Sequence, residues 1–412
     1  MPILSELRLL TTQQRKTVLA SYLGWTLDAF DFFILVFVVK DVAAEFTTDI
    51  KAVTYAITLT LMVRPLGALI FGLAAERFGR RPTLMVDVIL YSALEFASGF
   101  APNLTVFIVL RILYGIAMGG EWGVGASLAM ETIPPRARGI VSGILQAGYP
   151  SGYLIASIVF GLLFEHIGWR GMFMIGALPA LLVLYIRRHV EESPAFLARQ
   201  KQPRGSGIFD AIRKNALLFL YAVLLMTAFN FFSHGTQDLY PTFLRQQHGF
   251  DPHTVGIIAV VYNIGAILGG LTCGFLSERY GRRRVIAVAA LCALPVIPLW
   301  ALVSSPWLLG LGAFLMQFAV QGAWGIVPVH LNELSPDEVR STFPGFAYQL
   351  GNLFASVNAT LQAELAQARN GNYAFALSIT VAVVALILAG LAAIGVEKRG
   401  VAFGEPEPPK AC

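Results

Sequence analysis

The chain has 412 residues, of which 56% are hydrophobic and only 13% charged, with a mean hydropathy of +0.66. A soluble domain of this size carries about 25% charge, so the composition excludes a soluble enzyme or binding module and defines a polytopic membrane protein. The net charge of +5 is no nucleic-acid footprint, because the basic residues crowd the short loops on one side of the membrane.

Residues 1–16 form a short, weakly amphipathic lead-in. The run 18–39 is too long, and too polar at Asp28 and Asp31, for a cleavable signal, and no small-residue cleavage site follows it; the first span is expected to be retained. Apolar runs of about 20 residues, the length that crosses a roughly 30 Å hydrocarbon core, can be placed twelve times. They cover 17–40, 52–75, 83–100, 104–131, 138–164, 170–188, 214–245, 254–277, 285–303, 306–332, 340–366 and 371–396. Of the 30 Lys and Arg residues, Arg64 and Arg111 fall inside spans. Only Lys40, Lys51, Arg170, Arg245 and Arg369 lie on one face, and all the others lie on the opposite face. The positive-inside rule then makes both termini cytoplasmic, in agreement with an even number of spans.

The domain division expected is a first six-helix bundle over 1–188, a linker at 189–213, a second bundle over 214–396 and a tail at 397–412. The linker string RRHVEESPAFLARQKQPRG reads as a hinge, either with a short surface helix or as a plain solvated basic connection. The tail end, GEPEPPKAC, has the composition of disorder. Cys273, Cys292 and Cys412 are odd in number, with two inside apolar runs, which argues against a disulfide framework. No extramembrane segment is long enough for an enzyme. No P-loop, dinucleotide fingerprint or metal-ligand cluster appears, so neither cofactor nor metal is expected.

Polar side chains inside the spans are the functional signal, since Asp near the bilayer centre costs roughly 2.5–3.5 kcal/mol on insertion scales. The densest group is residues 230–242, NFFSHGTQDLYPT, continuous with the apolar run before it. Asn230, Ser233, His234, Gln237 and Asp238 recur at i, i+3, i+4, i+7 and i+8, which makes one polar stripe on one helical face. His234 and Asp238 can pair across a turn, and an imidazolium there would attract a carboxylate; a satisfied structural histidine is the plainer alternative. In the first span Asp28 lies roughly 16 Å deep by helical rise, close to the midplane. Asp31 shares its face, and two such carboxylates cannot both ionise easily, so one is expected to hold a proton; the alternative is a structural pair capped by nearby donors.

Arg64 and Arg111 are the permanently charged groups able to hold a carboxylate bidentately, or else are neutralised by Asp28, Asp31, Glu95 or Glu121. Arg111, near the outer surface, suits a relay or gate. Gln349 and Asn352, at i, i+3 in the eleventh span, and Gln146 and Tyr149 in the fifth are neutral groups at comparable depth. They serve either a solute or helix–helix hydrogen bonds. The spacings Gly115/Gly119/Gly123 and Gly265/Gly269 read as close helix packing.

A shift of 202 positions superposes the halves. Residues 72–81, GLAAERFGRR, return at 274–283 as GFLSERYGRR. Trp122-Gly123 returns as Trp324-Gly325, Glu131 as Glu333, Pro134 as Pro336 and Arg138 as Arg340. Asp28 falls on Asn230 and Asp31 on Ser233. Six plus six spans in one orientation are parallel repeats about an axis normal to the membrane, with a site on that axis.

Over essentially the whole chain, these motifs resemble the major facilitator superfamily, together with the R-x-x-x-G-x-x-x-G of Arg111, Gly115 and Gly119. The resemblance implies an all-α fold of twelve transmembrane helices in two bundles. It also implies that the charged loops act as latches for one access state: Glu76, Arg77, Gly79, Arg80 and Arg81 with their echoes Glu278, Arg279, Gly281, Arg282 and Arg283, and Glu131, Arg138, Glu333 and Arg340. Within the superfamily, Asn230, Ser233, His234, Thr236, Gln237, Asp238 and Thr242 resemble the signature of proton-coupled lactate and pyruvate permeases. These belong to the branch that holds sialate–proton symporters; residues 119–123, GGEWG, and the two aspartates of the first span are similar to that branch.

The resemblance implies a monomeric symporter of a small monocarboxylate and a proton in a bacterial inner membrane. Asn230, His234, Gln237, Gln349, Asn352, Tyr149, Gln146 and Arg64 are the expected substrate residues. Asp28, Asp31, His234, Asp238, Glu121 and Arg111 are the expected proton-coupling residues. The rivals are a sialate or aromatic-acid symporter, and a transporter-like nutrient receptor for which the short cytoplasmic segments leave little signalling machinery.

Overall fold

The computed structural model describes residue 8 and residues 10–48, 50–200, 210 and 213–403. The disorder expected at 404–412 and most of the second half of the linker lie outside the described residues. Every regular element described is helical. The first bundle comprises α1 (Thr12–Glu45), α2 (Ile50–Phe78), α3 (Arg80–Ser98), α4 (Leu104–Thr132), α5 (Arg138–Gln146), α6 (Gly148–Ile175) and α7 (Ala180–His189). A linker helix α8 (Pro194–Gln200) follows. The second bundle comprises α9 (Ala216–Gln237), α10 (Tyr240–Gln246), α11 (Pro252–Tyr280), α12 (Arg282–Cys292), α13 (Ile297–Ala301), α14 (Pro306–Trp324), α15 (Val327–Leu334), α16 (Phe343–Ala355), α17 (Asn358–Gln367) and α18 (Tyr373–Ile394).

Local chemistry sets the ends. Thr11 and Gln14 form a reciprocal capping box on α1, and Asn103 caps α4 through Val106 N at 2.9 Å. Asp251 caps α11 by accepting from Thr254 and His253. Hydrogen bonds from the Thr254 hydroxyl and amide hold its exposed carboxyl below the usual range.

Twelve spans are built from these pieces, and among the described residues nine helices are long and apolar enough to cross a membrane. The other three depart for visible reasons. The third, α3, carries Arg80, Arg81, Asp87 and Glu95. The sixth is bent between Ile175 and Ala180, and the eleventh is broken at Ser356–Val357 between α16 and α17. In α6 the turn from the fifth to the sixth span is made at Gly168, with φ 63°, a left-handed conformation that glycine adopts without a Cβ clash. Leu162, Leu217 and Trp307 stand exposed on the outside, the surface that faces acyl chains.

The face carrying the 2–3 and 8–9 turns, here the charged face, is where the bundles meet. Contacts between them run from α11 to α5, from α16 to α2 and α4, and from α15 to α4 and α5. Glycines let these backbones touch: a methyl on Gly123 would stand 2.8 Å from the Gly345 Cα, and one on Gly139 2.3 Å from the Gly274 carbonyl oxygen. Within each bundle Gly119 packs on the Arg64 carbonyl and Gly269 on that of Phe318, the close packing expected of those spacings. Toward the far face Phe33, Phe37, Tyr153, His234, Asp238 and Tyr262 remain partly exposed. The bundles therefore meet at the charged face, and toward the far face these side chains from both bundles stay open to solvent.

Candidate functional site

The charged loops after the second and eighth spans form a pair of matching charge clusters. Gly79 and Gly281 take φ of 110° and 95°, the positive-φ turn for which glycine is suited. Each turn delivers an arginine into a buried pocket. Arg80 forks onto both oxygens of Glu131, at 3.1 and 3.0 Å, and Arg282 forks onto Glu333 at 3.0 and 3.1 Å. The preceding glutamates cross between bundles. Glu76 accepts from Ser341 N at 2.6 Å, and Glu278 from Gly139 N at 2.5 Å. Arg138 lies 4.0 Å from Glu333, and Arg340 pairs with Asp337. Arg81 donates to the Arg187 carbonyl at 2.6 Å and Arg283 to that of Ala392 at 2.8 Å. Arg77 and Arg279 lie over the neighbouring Phe78 and Tyr280 rings.

At the far end of this closure lies the polar stripe of α9. His234 Nδ1 is 3.1 Å from Asp238 Oδ1, and His234 Nε2 is 3.1 Å from Asn352 Oδ1 in α16. The imidazole thus joins the seventh span to the eleventh. Asp238 lies just past the end of α9, because Pro241 has no N–H for the Gln237 carbonyl and its ring clashes there. Gln237 donates to Gln317 at 2.9 Å and to Ser233 at 3.4 Å, so its amide is engaged within the second bundle. Asn230 is 2% exposed and donates back to the Met226 carbonyl at 2.8 Å.

Arg64 is buried in α2 of the first bundle and faces Gln349 of the second. With the Gln349 amide oxygen turned toward it, the guanidinium donates to that oxygen from Nη2 and Nε at 3.3 Å each. Tyr149 stacks on Trp25 with ring centroids 5.7 Å apart and meets Phe33 edge-on at 5.3 Å. Trp122 and its repeat mate Trp324 both pack on Tyr348, at 4.8 and 5.6 Å, an aromatic floor beneath these groups. Gln146 is buried at the break before α6, its Oε1 without a donor.

The acidic residues lie inside the first bundle. Asp28 and Asp31 are fully buried, and none of their four oxygens meets a hydrogen-bond donor. Arg64, Glu95 and Glu121 lie within electrostatic reach of Asp28. Arg111 pairs with Glu95 at 2.6 Å and Ser98 at 2.8 Å beneath the Tyr114 ring. Glu121 is buried without a donor.

Sequence reasoning did not single out Asp87, also fully buried and donorless, with Glu121 and Asp28 as its charged neighbours. It also passed over Gln317 and Gln321 in α14. In each case the signal was a polar residue inside an apolar helix. Among the described residues no group of His, Cys, Asp and Glu is arranged to hold a metal.

Two six-helix bundles that meet at one face, with polar and ionisable side chains facing each other between them, define a secondary transporter. The family model of the Major Facilitator Superfamily matches residues 21–251 and 238–410, and the chain belongs to that superfamily. A carboxylic acid transporter protein homolog of Saccharomyces cerevisiae is 32% identical over 390 residues, 88% of this chain, and the chain spans 63% of that protein's length. The sialic acid transporter NanX of Escherichia coli is 28% identical over 343 residues, 82% of this chain and 84% of that one. The structure of the proton:xylose symporter XylE bound to 6-bromo-6-deoxy-D-glucose superposes with a TM-score of 0.79 at 18% identity. It covers 96% of this chain and 98% of that one, a likeness of fold. The protein is a multi-pass membrane transporter, not an enzyme.

Proposed function

We propose that the chain couples the entry of a small monocarboxylate, of lactate or pyruvate type, to entry of a proton by alternating access, with the charged face cytoplasmic in a bacterial plasma membrane. The observation that carries this reading is His234, whose two ring nitrogens face Asp238 and Asn352 at 3.1 Å each. With both nitrogens facing oxygens, the imidazolium satisfies the site in full, and it is the form that attracts an anion.

Arg64 faces Gln349, and Asn352, one turn on from Gln349, meets His234, so a carboxylate drawn in by His234 would find a permanent cation and neutral amides. Asp28 and Asp31, buried without donors, need a proton or a partner to be tolerated there, which makes them the proposed coupling groups. Once anion and proton are both aboard, the occluded site carries no uncompensated charge, whose desolvation would otherwise oppose closure. Opening on the charged face breaks the Glu76–Ser341 and Glu278–Gly139 contacts. The names of the carboxylic acid and sialic acid carriers among the relatives support an organic anion. A sialate remains the second reading, and a competition panel of unlabelled acids separates it from lactate and pyruvate.

The test is uptake of labelled lactate and pyruvate into proteoliposomes under an inward proton gradient. Wild-type protein is expected to accumulate label, and His234→Ala and Asp238→Ala to lose most of it. Undiminished accumulation in both variants would remove that pair from the mechanism.

A further inference from the structure

The seventh span is interrupted beside its most polar residues, and one neighbouring helix holds it on both sides of the break. Before the break, Gln317 of α14, 2% exposed, accepts from Gln237 Nε2 at 2.9 Å and donates to Thr236 Oγ1 at 3.0 Å. One turn further along α14, Gln321 donates to Ser233 Oγ at 3.3 Å. Beyond the break, the Tyr240 hydroxyl donates to the Trp300 and Leu309 carbonyls at 3.1 and 3.3 Å, and its ring stacks on Trp300 at 5.0 Å. Leu309 belongs to α14. From the other flank, Gln362 of α17 donates to the Gly235 carbonyl at 2.9 Å. The turn that carries His234 and delivers Asp238 is thus splinted chiefly by α14, and Gln317 is the side chain that grips it nearest the break.

The first bundle has no counterpart. At the 202-residue offset Gln317 and Gln321 fall on Gly115 and Gly119, which pack on the Thr60 and Arg64 carbonyls instead. The amides are therefore an addition peculiar to the half that carries the histidine. An amide buried in an apolar helix is costly unless every polar atom is matched, and in Gln317 both amide atoms are matched by α9, through Gln237 and Thr236.

We propose that Gln317 is a positioning residue of the carboxylate site: through Thr236 and Gln237 it fixes the broken turn of the seventh span so that His234 and Asp238 stand together against Asn352. The inference rests on the reading of that site as the carboxylate site. The hydrogen bonds of the Gln317 amide go to α9, and it acts through them. The same grip ties α9 to α14, whose continuation α15 carries Glu333 of the charge clusters, so that the site and the closed face share one helix.

The experiment compares wild type, Gln317→Met, Gln237→Ala and the double variant for initial rates of labelled lactate and pyruvate uptake in proteoliposomes, with the melting temperature of each. Methionine keeps the length of glutamine and removes the amide. Expected is a KM raised about tenfold in Gln317→Met with the maximal rate changed less than twofold. The double variant should be no worse than the weaker single, because both break the same link. An unchanged KM in Gln317→Met, or a double variant whose KM is the product of the two single effects, would overturn the inference. A fall in melting temperature with KM unmoved would assign Gln317 to stability alone and overturn it equally. If the wild type transports none of these acids, the carboxylate reading itself fails and the inference with it.

Discussion

The closure at the charged face rests on backbones that touch, so a single methyl group should open it. A Cβ built on Gly143 of α5 would lie 2.4 Å from the Gly270 carbonyl oxygen of α11, where ordinary contact begins at 3.4 Å. Gly143→Ala therefore forces the two bundles about 1 Å apart at this crossing, and neither neighbour is a side chain that can swing away. Overpacking of this kind costs roughly 1–3 kcal/mol. Alanine also favours the helix by about 1 kcal/mol over glycine, but that gain is common to both access states and cancels between them. The equilibrium should thus move toward the state open at the charged face by a factor of roughly 5 to 150.

The assay is spin-label distance measurement with Cys273, Cys292 and Cys412 replaced. One label pair at Glu165 and Gln367 reports the far face, and another at Arg188 and Arg284 the charged face. Gly143→Ala should lengthen the second distance and shorten the first. Gly390→Ala, where an added Cβ meets nothing within 4 Å, should change neither. A Gly143→Ala protein that folds and shows wild-type distances at both faces would refute the reasoning.

Other perturbations follow from the same contacts. Arg111→Gln leaves Glu95 buried without its ion-pair partner, so stability should fall by roughly 3–5 kcal/mol, read as a lower melting temperature; pairing it with Glu95→Gln should recover much of the loss. Asp87→Asn replaces a fully buried carboxylate that has no donor, and its melting temperature at neutral pH should equal or exceed that of wild type. Gly79→Ala must hold φ near 110° and meets Glu192 at 2.3 Å. It should destabilise by about 1–2 kcal/mol, again read by melting temperature.

Much of the architecture was legible because a bilayer restricts a chain so severely. Apolar length located twelve spans, and the 202-residue echo of GLAAERFGRR located the symmetry, since both are written in composition and spacing. The charged loops were legible as a motif but not as pairings. Glu131 grips Arg80 and Glu333 grips Arg282, long-range choices that no local pattern encodes. The third span was legible at 83–100 although Asp87 and Glu95 dilute its hydropathy; burial inside the bundle is what makes them tolerable.

The site was partly readable. The i, i+4 spacing of His234 and Asp238 gave their pairing, whereas the partner of His234 within the same bundle, Asn352, needed the packing of α16 on α9. Arg111 showed the opposite limit: the sequence left open an anion, a relay or neutralisation by one of four carboxylates, and only the fold picks out Glu95. Gln317 escaped notice because a lone glutamine in an apolar helix carries no motif. Its meaning lies in which face of α14 meets the broken turn.

The most direct measurement of the account is proton movement itself. Proteoliposomes holding a trapped pH indicator, with no imposed gradient, are given lactate or pyruvate on the outside. Internal acidification that requires the protein and disappears in Asp28→Asn is the predicted result. Entry of labelled acid with no change in internal pH, or no entry at all, would contradict it.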